Sequence, residues 1–203
     1  MGRPVTHDND RRLADLAARA ARCRECGLWC NATQTVFGAG PSSADLVLVG
    51  EQPGDHEDRE GRPFVGPAGR VLDDALRDAD ILRDAVYLTN AVKHFKWKPR
   101  GKRRIHDRPN RMEIVACHRW LAAELDVIEP SVIVALGAVA GESLFGPAFR
   151  VGASRGRVLE LGTTPVVATY HPSAVLRATV PDRDAIYGGL VDDLRRAAAL
   201  VPA

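Results

Sequence analysis

The sequence predicts a single three-layer α/β/α domain on a central, mainly parallel four-stranded sheet. Short apolar runs at residues 45–49, 85–89, 131–136 and 165–169 have the near-continuous hydrophobicity of strands covered on both faces. Segments with helical spacing of apolar residues alternate with them, the pattern of a parallel α/β sheet. With 203 residues, 45% of them hydrophobic, and no internal repeat or long linker, one domain spanning 1–203 is expected.

The first helix is expected over Asp8–Ala21, where Leu13, Leu16, Ala17 and Ala20 form a stripe that leads into a cysteine cluster. The strand at Asp45–Val49 ends at Gly50-Glu51-Gln52-Pro53-Gly54. A Gly- and Pro-rich loop, Gly61–Gly69, carries Phe64 and Val65; Pro67 suits an early helical position, followed by Val71, Leu72, Ala75, Leu76 and Ala79. The second strand, Ala85–Thr89, ends at Asn90. Asn110 and Glu113 have capping-box spacing before a helix whose Ile114, Cys117, Leu121 and Leu125 share a face, pointing Cys117 inward. Strands at Ser131–Leu136 and Pro165–Thr169 end at Gly137 and near His171, and the last helix, Arg183–Leu200, repeats Ile186, Leu190, Leu194 and Ala198. In such sheets the carboxyl ends of strands share a crevice, so Glu51, Asn90, Gly137 and His171 are expected to converge.

No apolar run reaches the roughly 20 residues of a membrane span, and the polar stretch Met1–Arg12 lacks the pattern of a secretory signal; a cytoplasmic protein is expected. The net charge of +2 hides a concentration. Between Lys93 and Arg111 nine Lys or Arg face the single acid Asp107, a local +8 that leaves −6 elsewhere. A basic loop at about 93–111 suits a polyanion, because phosphate contacts release counterions.

Cys23-x-x-Cys26 can place two thiolates on one metal or cluster, but four ligands are normally required. Cys30, His94 and Cys117 are the other soft or borderline donors. Zinc would accept any four of these and an iron–sulfur cluster prefers four cysteines, so ligand chemistry alone leaves the metal open.

Six segments in order carry a resemblance: Cys23-Arg-Glu-Cys26, Gly50-Glu-Gln-Pro-Gly-Asp55, Gly61-Arg-Pro-Phe-Val-Gly-Pro-Ala-Gly69, Thr89-Asn-Ala-Val-Lys-His94, Lys102-Arg-Arg-Ile-His106 and His171-Pro-Ser-Ala-Val-Leu-Arg177. Together they resemble the uracil-DNA glycosylase superfamily in its iron–sulfur (family 4-like) branch, and most closely the UdgX proteins, over nearly the whole chain. Lys102–His106 separates the UdgX pattern from ordinary relatives. The resemblance implies a uracil-DNA glycosylase-like fold and a structural [4Fe-4S] cluster held by Cys23, Cys26, His94 and Cys117. Cys30 departs from the pattern and keeps a four-cysteine alternative open.

By the same resemblance, Asn90 recognises uracil, Phe64 stacks on it, and Gln52 and Asp55 belong to the uracil pocket. His171 stabilises the departing base and Glu51 the sugar cation, while His106 takes the place of water and bonds to C1′. Lys102, Arg103, Arg104, Ile105 and Arg177 face DNA. The expected partner is uracil-containing DNA, single-stranded DNA included, in a DNA-repair role, with the protein acting as a monomer. Two other functions remain in view: a conventional multiple-turnover glycosylase with a Glu51-activated water, and a noncatalytic metal-containing nucleic-acid-binding module.

Overall fold

The computed structural model describes residues 7–202, so residues 1–6 of the polar amino-terminal stretch and Ala203 lie outside the description. In chain order the elements are α1 (His7–Ala20), a 3-10 turn (Gly27–Cys30), β1 (Leu46–Gly50), α2 (Asp55–Glu60), α3 (Pro67–Asp78), β2 (Val86–Asn90), β3 (Trp97–Arg100), β4 (Arg103–His106), α4 (Arg111–Ile128), β5 (Val132–Leu136), α5 (Ala138–Phe145), α6 (Val151–Ser154), β6 (Val158–Leu161), β7 (Thr164–Thr169), α7 (Pro172–Arg177) and α8 (Val180–Ala198). A second 3-10 turn, Arg83–Ala85, precedes β2. No described helix is long and apolar enough to cross a membrane.

The central sheet has the order β2-β1-β5-β7-β6. Its first four strands are parallel and β6 joins the edge antiparallel to β7. The apolar runs are continuous because both faces are covered. Leu46, Leu48, Val132, Val134 and Leu136 meet α3 and α8 on one face, while Val47, Val49, Ile133 and Ala135 meet α4 and α5 on the other. The α/β/α class is as the sequence predicts, with five strands where four are expected. β6 escapes the apolar-run criterion because it is a half-exposed edge strand, joined to β7 by the two-residue loop Gly162-Thr163.

Two differences bear on the site. The basic segment is ordered: β3 and β4 form an antiparallel hairpin turning at Gly101-Lys102. The last helix starts at Val180, with Pro181 in its first turn, ahead of the expected Arg183. Asn110 forms the expected capping box with Glu113 at the start of α4.

Candidate active site

Glu51, Asn90 and His171, each at a carboxyl strand end, line one cleft of about 260 Å³ together with Phe64, His106 and Arg177. Gly50 makes room for two of them: a Cβ there would lie 2.4 Å from Asn90 Oδ1 and 2.6 Å from Phe64 Cζ. Phe64 is buried and adopts φ 55°, a left-handed conformation unfavourable for a bulky residue. Several contacts hold it there. Arg83 donates to its carbonyl, and a Cβ on Gly69 would lie 2.0 Å from that same oxygen. The Glu57 carboxylate accepts from the backbone N–H of both Gly54 and Gly66, tying together the two loops that wall the cleft. The Phe64 ring thereby rests 6.3 Å from the His171 ring, centroid to centroid.

His171 caps the start of α7. Its Nδ1 accepts from the Ser173 N–H at 3.2 Å and lies 2.7 Å from Ser173 Oγ, which accepts from Arg177 at 2.9 Å. Nδ1 therefore carries a lone pair, and a neutral ring has its proton on Nε2. Burial, then the nearby Arg177, lowers the imidazole pKa to about 4, keeping the ring neutral at physiological pH.

Glu51 Oε1 and His106 Nε2 are 3.3 Å apart, yet that buried oxygen accepts no hydrogen bond among the described residues. Burial raises the Glu51 pKa, opposed by Arg108 and Arg177. Partial burial and Arg177 lower that of His106, whose side chain is 48% exposed at the mouth of the cleft. The lowered value leaves His106 a neutral imidazole near neutral pH, in contact with the Glu51 carboxyl group.

The hairpin that presents His106 is fastened at both ends. The Gln52 side chain donates to the carbonyls of Lys96 and Asp107 and accepts from the Lys96 N–H. Its amide is thus committed to the hairpin, while Gln52 also lines the cleft. Arg104, expected to face DNA, is likewise engaged within the protein. Its guanidinium, 15% exposed, pairs with Asp55 and Asp58 and lies over the Phe95 and Trp97 rings. Asp55 lines the cleft with its carboxylate taken up by Arg104 and Arg59. Much of the +8 segment is internally paired: Lys93 with Glu124, Lys96 with Glu113, Lys98 with Asp107 and Arg108 with Glu142. Arg100, Lys102, Arg103 and Arg111 are exposed without an ion pair among the described residues, and Ile105 beside them is half-buried. Arg177 reaches both Ser173 and the cleft.

A second, small cavity is lined by Cys23, Cys26, His94 and Cys117, between the end of α1, the segment after β2, and α4. Cys30 is exposed and outside it. Burial pushes the Cys117 thiol up to about 11, although its sulfur accepts the Lys93 N–H at 3.2 Å. The Thr35 hydroxyl donates to the Ala20 carbonyl and so accepts from His94 Nε2–H at 2.9 Å, leaving a lone pair on His94 Nδ1. No three His, Cys, Asp or Glu among the described residues converge as they would on a single metal ion. Three thiols and one imidazole around one cavity do fit the donor chemistry of a polynuclear cluster.

Residues 37–195 match the model of the uracil DNA glycosylase superfamily. The chain belongs to this superfamily. It is 41% identical over 165 residues to a type-4 uracil-DNA glycosylase of Thermotoga maritima, covering 80% of this chain and 82% of that protein. It is 37% identical over 172 residues to a type-4 uracil-DNA glycosylase of Archaeoglobus fulgidus, covering 81% and 83%. A type-5 uracil-DNA glycosylase of Pyrobaculum aerophilum is 32% identical over 181 residues, covering 79% and 74%.

Within this uracil DNA glycosylase superfamily site, several supporting residues were not among those expected from the sequence. Ser173 sets the His171 tautomer, Glu57 fastens the two loops, and Lys93 lies beneath Asn90. Ser173 had a signal, since a hydroxyl two residues after a histidine that starts a helix can reach back to its ring. Glu57 had one too, as the residue three positions into a helix that caps Gly54, whereas its bond to Gly66 and the pairing of Lys93 with Glu124, 31 positions away, follow no spacing rule.

Proposed function

We propose that the protein excises uracil from DNA and captures the deoxyribose left behind through His106. The observation that carries this reading is the 3.3 Å approach of His106 Nε2 to Glu51 Oε1, in the cleft that also holds Asn90, Phe64 and His171. In a hydrolytic enzyme water would be expected beside that carboxylate.

The extruded nucleotide enters the cleft, where the free Asn90 amide meets the donor and acceptor edge of uracil against Phe64. The bond between uracil and C1′ breaks heterolytically, its electron pair leaving with the base. His171 Nε2–H donates to the uracil oxygen that gathers the negative charge, and Glu51 balances the positive sugar. A lone-pair nitrogen of neutral His106 then bonds to C1′, the second ring nitrogen releases its proton to solvent, and the uracil anion takes a proton from water. Lys102 and Arg103 at the hairpin tip, with Arg177, contact phosphate in this reading; Ile105 packs beside the extruded nucleotide, and Arg104 holds the hairpin in place. The substrate includes single-stranded uracil-containing DNA, met by a monomer in the cytoplasm.

The test mixes the protein with a uracil-containing single-stranded oligonucleotide, beside a thymine control, and resolves the denatured mixture on a gel. A heat- and detergent-resistant conjugate formed only with uracil is expected. Free abasic DNA exceeding one equivalent per protein would replace this reading with conventional turnover, the behaviour suggested by the relatives' names. Binding with neither product would leave only a nucleic-acid-binding module.

The rate of conjugate formation should fall on acidification from mildly alkaline pH. Protonation of His106 removes its lone pair, below the ordinary imidazole value because burial and Arg177 depress it. Protonation of Glu51 removes the balancing charge, above the ordinary carboxylate value because burial raises it. Single-turnover rates on the gel across pH would show this; a rate that rises towards acid would contradict it.

Cys23, Cys26, His94 and Cys117 hold a [4Fe-4S] cluster in this reading, on the support of their shared cavity. The cluster supplies cross-linking of α1, the segment after β2, and α4, and no excision step passes through it. Visible absorption and iron content should be retained in Cys30→Ala and fall in His94→Ala; the reverse result would place Cys30 in the ligand set.

A further inference from the structure

Lys93 is 1% exposed and Glu124 0% exposed, forming an ion pair deep in the core that the excision steps do not use. Burying two charges is costly, so such a pair is weak support for stability and invites a different explanation. Its contacts point to Asn90. Lys93 Nζ donates to the Asn90 carbonyl at 2.8 Å and to Thr89 Oγ1 at 2.6 Å, as well as to Glu124. Glu124 is itself fixed by the Tyr87 and Thr89 hydroxyls and the Gly38 N–H. The Lys93 backbone N–H is anchored on Cys117 Sγ.

The peptide that follows Asn90 is therefore held from both sides. Its carbonyl accepts from Lys93, and its N–H, on Ala91, donates to the Gly50 carbonyl at 2.9 Å. Asn90 ends β2 in register with Gly50, so no further strand residue fixes its orientation. Its buried side-chain amide makes no hydrogen bond with the described residues, leaving the backbone to aim it. A small rotation of that peptide would swing the amide away from a base edge that requires donor and acceptor at fixed positions.

We propose that Lys93, held by Glu124, is a positioning residue for uracil specificity: it sets the peptide after Asn90 and thereby aims the Asn90 amide. The proposal rests on Asn90 reading the base. Removing one partner would strand a buried charge, so the test removes both in Lys93→Met/Glu124→Gln. The probes are single-stranded oligonucleotides containing 2′-fluoro-2′-deoxyuridine, whose fluorine disfavours the sugar cation and prevents excision, or 2′-fluorothymidine. Thermal melting accompanies the binding measurements.

The expected result is a melting temperature near that of the parent, unchanged thymine-probe affinity and uracil-probe affinity weakened about tenfold, the scale of one misaligned hydrogen bond. Undiminished preference for uracil would overturn the proposal. So would a proportional loss of affinity for both probes with lowered melting, which would mark a purely structural pair. If the double variant does not fold, Lys93→Gln/Glu124→Gln keeps a hydrogen-bonding amide at each position and is judged by the same preference. The base-reading assumption is checked separately: a parent protein without uracil preference, or an Asn90→Ala variant that keeps it, would fail that assumption and not the role of Lys93.

Discussion

Replacing His106 with alanine is expected to abolish the denaturation-resistant conjugate and to release more than one equivalent of uracil per protein. The side chain stands at the cleft mouth, 48% exposed and in contact with Glu51. Its removal opens a space that water can fill beside the carboxylate, and a water attacking C1′ leaves a free abasic site that can depart. The hairpin should persist, because its anchors are Gln52 at its base and Arg104 on Asp55 and Asp58. The change from a single covalent event to turnover is read from gel-shifted DNA and free uracil measured together. Persistence of the conjugate would assign the nucleophile elsewhere. Loss of conjugate without uracil release would make His106 necessary for bond cleavage itself.

The parts of this site legible in the sequence are those that obey local rules. Glu51, Asn90 and His171 each follow a short apolar run with the length and flanking residues of a buried strand, so their meeting at one sheet edge follows from topology. β6 and the β3–β4 hairpin obey weaker rules. One is a short edge strand, and in the other the density of Lys and Arg masks a two-residue turn. Charge counting also treats every cation as solvent-facing. Lys93 and Arg104 belong to the same basic run as Lys102 and Arg103, yet one is a core residue and the other a clamp. Their acidic partners, Glu124, Asp55 and Asp58, lie 31, 49 and 46 positions away, beyond the reach of helix or turn periodicity. Gln52 shows the same limit: its amide could serve a base, but three backbone groups of the hairpin claim it.

Glu51→Gln is expected to slow excision and conjugate formation by about a hundredfold or more, within the range for loss of a positioned acid–base or charge-stabilising group. Glutamine keeps the shape of the side chain but cannot balance the sugar cation. The variant should also melt no lower than the parent. Burial raises the Glu51 pKa, and a carboxyl whose pKa is raised by folding opposes the folded state once ionised, a cost that grows as pH rises through the unfolded value. Its Oε1 is buried without a hydrogen bond among the described residues, so removing the charge relieves desolvation without breaking a bond there. Lost activity with retained or increased stability separates a group held for chemistry from one held for folding. Lost activity with a markedly lower melting temperature would instead make Glu51 part of the framework. Near-parental rates would move the balancing charge to another group.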